Sequence, residues 1–103
     1  MKTKLATLIF SAAFFMAATG TAHAAGDAAA GEEQAKTACA GCHGAAGEGS
    51  EDNPAIAGME PDAFTDAVKA YQTGARPNPL KQALMSPLTD DEIANLAAYY
   101  ASL

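Results

Sequence analysis

Apolar residues recur at three- and four-residue spacing in three stretches of the chain, and no stretch alternates apolar with polar residues as a half-buried strand would. The sharpest pattern is the last. Thr89-Asp90-Asp91-Glu92 has the form of a capping box with acids in the first turn, and Ile93, Leu96, Ala97 and Tyr100 follow on one face. Pro61 follows Glu60 as a proline at the first helical position should; Phe64, Val68 and Tyr71 mark one face, and Gly74 supplies a stop. That predicts a helix from about Pro61 to Gln72. Gly31, Ala35 and Ala38 recur between Glu32, Glu33 and Lys36, which predicts a helix from about Asp27 to Cys39 with a small-residue inner stripe. The large side chains of the last helix can then cross the first closely at Gly31.

Between these helices the chain is broken. Gly41 to Gly58 holds five glycines and a proline with no apolar period, so the backbone there should be an irregular loop wrapped round whatever it encloses. Asn78 as cap and Pro79 at the first position predict one short helical turn over Leu80 to Leu84. Met85-Ser86-Pro87-Leu88 should be extended, because a proline disfavours a helical conformation in the residue before it. The expected fold class is all-α, with three main helices plus a short helical turn, and no internal repeat.

The start of the chain belongs to a different function. Lys2 and Lys4 precede an apolar run from Leu5 to Ala18, and Ala22-His23-Ala24 has the small-x-small form of a cleavage site. Residues 1–24 therefore read as a signal peptide, cut after Ala24 and directing export to the periplasm. The run of 14 residues is short of the roughly 20 that a membrane-spanning helix needs, so no stable membrane insertion is expected. The expected mature protein is a single domain, residues 25–103, with 4 basic and 12 acidic side chains and a net charge of −8. Such a charge argues against nucleic acid or an anionic membrane surface as partner. A core in a chain of 79 residues rarely yields more than about 3–5 kcal/mol of net stability unaided, so a staple is expected.

Both cysteines lie in Cys39-Ala40-Gly41-Cys42-His43, the attachment signature of a c-type haem. Two thiols on one turn can form thioethers to the two vinyl groups of the macrocycle, and the adjacent imidazole can reach the iron as proximal ligand. Ala40 and Gly41 are small enough to let the backbone lie against the ring. A plain disulfide, a thioredoxin-like pair and half of a zinc site are the alternatives. The second needs a β-α-β context and the third two further cysteines or histidines, none of which the mature sequence supplies.

With His23 removed, His43 is the single histidine, so the sixth ligand must come from Met59, Met85 or Lys36, Lys69 and Lys81. A thioether is soft and suits low-spin haem iron. Met59 has little chain with which to cross to the other ring face, whereas Met85 lies beyond a full helix. Met85 is therefore favoured, with Met59 packing at the haem edge.

At these residues the chain resembles the small single-haem class I cytochromes c of the bacterial periplasm, closest to the type seen in each half of the two-haem proteobacterial proteins. The likeness runs through C-A-G-C-H-G (39–44), P-A-I-A-G (54–58), Y-Q-T-G-A-R-P-N-P (71–79) and L-T-D-D-E-I-A-N-L-A-A-Y-Y-A-S-L (88–103). The resemblance implies a cytochrome c fold around a covalently attached haem c, His43 and Met85 as axial ligands, and one-electron transfer without bond chemistry. It also implies that the Pro54 carbonyl receives the ring N–H of His43, and it hints that Arg76 pairs with a haem propionate. Ile56, Leu80, Leu84 and Leu88 are expected to line the haem pocket and Lys81 to rim it. Glu48, Glu51, Asp52, Glu60, Asp62 and Asp66 are candidates for an acidic docking surface. The expected partners are then a membrane reductase, an oxidase or a dehydrogenase with a basic docking surface. The competing functions are a haem subunit of a larger redox complex and a haem enzyme or gas-binding protein; the last would need an open sixth position and a polar distal group.

Overall fold

Five helices form where caps and apolar periods coincide: α1 (Ala28–Ala38), α2 (Ala40–His43), α3 (Pro61–Thr73), α4 (Pro79–Met85) and α5 (Asp90–Ala101). The structure, a computed structural model, describes residues 26–103, and among these there is no strand. The expected leader at 1–24, with its cleavage site and His23, lies outside the described residues.

Each longer helix starts on a side-chain cap. Asp27 accepts from the Ala29 and Ala30 amides, Glu60 from Ala63 and Asn78 from Lys81. At α5 the Thr89 hydroxyl accepts from the Glu92 amide while the Glu92 carboxylate accepts from the Thr89 amide, so both halves of the capping box are made. Gly74 ends α3 in the left-handed region, at φ 77°.

The core is built on α5. Ile93, Leu96, Ala97 and Tyr100 are all buried, and they meet Phe64 and Val68 of α3 on one side and Ala35 and Cys39 on the other. The Tyr100 and Phe64 rings stack with centroids 5.6 Å apart. The most extensive helix pairing is α1 with α5. A Cβ on Gly31 would stand 2.0 Å from the Asn95 carbonyl oxygen, so the absence of a side chain there is what lets the two helices touch. Polar contacts fix the register of the crossing: the Asp27 amide donates to Asn95 Oδ1 at 2.7 Å and Gln34 Nε2 to Glu92 Oε2 at 2.6 Å. The wrapping loop then closes over the end of α5. Gly58 donates to the Tyr100 carbonyl at 2.7 Å, and Gly47, at φ 68°, lies so near the Tyr100 ring that a Cβ would come within 2.9 Å of it.

Four local expectations need correction. The backbone after Cys39 does not become irregular at once but makes the single turn of α2, because the His43 amide bonds back to the Cys39 carbonyl at 3.0 Å. The short turn expected over Leu80–Leu84 is the seven-residue α4, and Met85 is its last residue rather than the start of an extended segment. Ser86 is helical in spite of Pro87, with φ −55° and ψ −38°; its amide and its hydroxyl both donate to the Gln82 carbonyl, which offsets the steric preference. Ala38 is exposed, so the inner stripe of α1 runs through Gly31 and Ala35 to Cys39 instead.

Candidate functional site

The turn of α2 brings Cys39, Cys42 and His43 to one edge of a cavity of about 470 Å³. Residues three and four apart are neighbours on a helix, so Cys39 lies beside both Cys42 and His43. Cys39 and His43 are buried, Cys42 is exposed, and both thiols are free. Burial pushes the Cys39 thiol above its ordinary value, against a smaller opposing pull from the Tyr100 hydroxyl and the charge of Lys81.

The imidazole of His43 is fixed from both sides. Its Nδ1–H donates to the Pro54 carbonyl at 2.8 Å, so Nε2 carries a lone pair, and that lone pair accepts from Lys81 Nζ at 2.9 Å. The loop that returns Pro54 to this place is tied to α2, because Gly49 donates to the His43 carbonyl at 2.7 Å and Ser50 to that of Asn53 at 2.8 Å. His43 thus presents an oriented ring nitrogen to the cavity, as a metal-ligating histidine requires.

Facing it is α4. Lys81 reaches His43 from that helix, and Met85 lies four residues further on, hence on the same face and bordering the same cavity. Met59 also lines the cavity, from the segment before α3, and both methionines pack against the core. Ile56, Leu80 and Leu84 contribute apolar wall; Leu88 packs on the core but does not reach the cavity, which corrects its placement. Arg76 and Lys81 stand at the cavity with their charged ends 5.3 and 5.5 Å from the centre of the Tyr71 ring. Glu48 and Glu60 of the acidic set are engaged locally, accepting from the Ala46 and Ala63 amides.

The donor set fits a haem. Two thiols on one turn, an imidazole oriented by the Pro54 carbonyl and the thioethers of Met59 and Met85 border one mostly apolar cavity. Among the described residues no three His, Cys, Asp or Glu side chains gather as a zinc or calcium site would require. Two contacts lay beyond sequence reasoning. The Lys81–His43 bond depends on how α4 lies against α2, and Gln72 bonds across to the segment after Met85, which no local motif announces.

Comparison with known proteins agrees with this site. The cytochrome c family profile matches residues 28–103. The chain is 42% identical over 83 residues to cytochrome c-554(548) of Halomonas halodenitrificans, covering 76% of this chain and 98% of that protein. It is 38% identical over 96 residues to cytochrome c4 of Pseudomonas aeruginosa, covering 92% of this chain and 47% of that one. The solved cytochrome c4 of Acidithiobacillus ferrooxidans superposes with a TM-score of 0.73 at 25% identity, over 77% of this chain and 51% of that one. The chain therefore spans nearly all of the first relative and about half the length of the cytochromes c4 it matches. It belongs to the cytochrome c family, with the all-α fold of that family and, at Cys39 and Cys42, the paired cysteines through which such a domain carries its haem c.

Proposed function

We propose that this protein is a one-electron carrier of the periplasm, with thioethers to haem at Cys39 and Cys42 and with His43 and Met85 as the axial ligands. The observation that supports it most is a single cavity bordered by both candidate ligands: His43, whose ring the Pro54 carbonyl orients, and Met85, on the α4 face from which Lys81 reaches that ring. When bound, the haem supplies a ferric/ferrous couple. The protein's part is to hold the imidazole in one tautomer, which strengthens it as a ligand, and to exclude water with Ile56, Leu80 and Leu84. Arg76, which lines the cavity and makes no ion pair with a carboxylate among the described residues, suits a haem propionate. An acidic exported chain suits redox partners with basic docking surfaces, and no described helix is long and apolar enough to cross a membrane.

The test separates ligands and functions at once. The ferric holoprotein should have the weak long-wavelength absorption of methionine-ligated haem, and the ferrous form should bind carbon monoxide slowly. Met85→Ala should abolish that absorption and admit carbon monoxide, while Met59→Ala leaves both unchanged. The reverse pattern would assign the sulfur to Met59, and prompt carbon monoxide binding by the unaltered protein would favour a gas-binding or enzymatic role.

A further inference from the structure

We infer that Gln72 is a positioning residue for the sixth ligand, its carboxamide holding the turn that presents Met85 to the cavity; the inference rests on the proposed role of Met85. Gln72 lies in the last turn of α3, and its Nε2 donates to the Met85 carbonyl at 2.8 Å and to the Leu88 carbonyl at 3.1 Å. These carbonyls bracket Ser86 and Pro87, where the chain leaves α4 and turns toward α5. One amide group with two N–H bonds therefore clamps both ends of the turn.

The turn has few other restraints. It is closed by the Leu88 amide donating to the Met85 carbonyl at 3.0 Å, Pro87 has no N–H to offer, and Ser86 bonds only backward into α4. No residue of α4 is buried, and Ser86 and Pro87 are exposed. Among the described residues, Gln72 is the single group outside 79–88 that hydrogen-bonds to the backbone of 85–88. The chemistry also selects an amide. A carboxylate of the same shape has no donor and would face two carbonyl oxygens, and an aliphatic side chain would leave both carbonyls without this partner.

Losing a strut that merely adds stability would lower the unfolding temperature and nothing else. A residue that positions Met85 must change how often the thioether leaves the iron. The experiment therefore uses ferric holoprotein and measures the long-wavelength absorption, the rate of imidazole binding at the sixth position, and thermal unfolding, for Gln72→Glu and Gln72→Leu. Gln34→Leu, which removes a bond between α1 and α5 away from the cavity, serves as the stability control. Losing two hydrogen bonds that hold the closed turn should accelerate imidazole binding about tenfold or more and weaken the absorption, beyond any change in the control. In a Met85→Ala background the same Gln72 changes should leave imidazole binding unaltered, because no thioether remains to be held. Gln72→Asn, one methylene short of the turn, gives a third variant with the same expectation should either of the others fail to retain haem. An intact absorption and an unaccelerated rate in the Gln72 variants, with both changed in Met85→Ala, would overturn the inference alone. An acceleration that persists in the Met85→Ala background would overturn it too, by making Gln72 a gate to the cavity. If Met85→Ala keeps the absorption, the assignment of Met85 fails and this inference with it.

Discussion

Placing an alanine at position 31 sets two effects of known sign against each other. Glycine inside a helix costs about 1 kcal/mol relative to alanine, so on propensity alone Gly31→Ala should stabilise α1. The added methyl, however, would stand 2.0 Å from the Asn95 carbonyl oxygen and 2.5 Å from its carbon, and these are backbone atoms of α5 that no rotamer change can move aside. To restore ordinary contact, at 3.4 Å or more, these atoms must part by at least about 1.4 Å, and a gap of only about 0.5–1 Å already forfeits about a quarter to a half of each dispersion contact across the crossing. Overpacking of this kind costs about 1–3 kcal/mol and more where backbone must move, and the α1–α5 pairing is the most extensive in the fold. Because backbone must move, the steric cost lies at the upper end, about 3 kcal/mol, and exceeds the propensity gain by about 2 kcal/mol. For a domain of this size that lowers the midpoint of thermal unfolding by about 8–16 °C. Circular dichroism on the holoprotein reads it directly. A midpoint that stays level or rises would mean that the crossing is looser than described, and the account of α1 as a helix made of small residues for the sake of contact would fail.

Acid and loss of the cofactor supply two further tests. Glu92 has its carboxyl held below the usual range by the Thr89 amide first and the Thr89 hydroxyl next, so its contribution is present above that range and disappears as pH falls through the lowered folded value. The urea midpoint of the holoprotein should therefore decline between about pH 4 and lower values, and decline less in Glu92→Gln, which keeps the capping bond but does not titrate; an equal decline in both would assign the acid sensitivity elsewhere. In protein prepared without haem, the amides of α4 should exchange hydrogen before those of α5, and uniform exchange across the two helices would contradict the dependence of α4 on the cavity.

The parts of this fold legible in the sequence are those whose cause is local. Thr89 through Glu92 make a reciprocal cap, and Pro61 and Gly74 bracket a helix because each acts on its own backbone. The pentapeptide at 39–43 carries its spacing within one turn, so the cavity edge was visible there too. Ser86 marks where this breaks down. The rule that a residue before proline avoids the helical region weighs one steric preference, and two hydrogen bonds to the Gln82 carbonyl outweigh it. Gln72 illustrates a second kind of limit: a glutamine near the end of an amphipathic helix looks like solvated surface until α4 is laid beside α3. Leu88 reads in the sequence like the pocket-lining Ile56, Leu80 and Leu84, yet it packs against the core.

The weakest element of the fold is also the one that carries the proposed ligand, and the two facts have a common origin. α4 has seven residues, too few to be stable alone in water, and buries none of them. Leu80 is 66% exposed and Leu84 47%, although both border the cavity, so their apolar surface has no sufficient partner in the polypeptide. Full burial of a leucine contributes about 1.5–3 kcal/mol, and these two together leave roughly 2–3 kcal/mol to be gained from an apolar group filling that space. A flat macrocycle attached at Cys39 and Cys42 would supply it. Formation of α4 and occupation of the cavity should then be coupled, with the cofactor completing a small core and the helix it supports carrying Met85 at the cavity that His43 also borders.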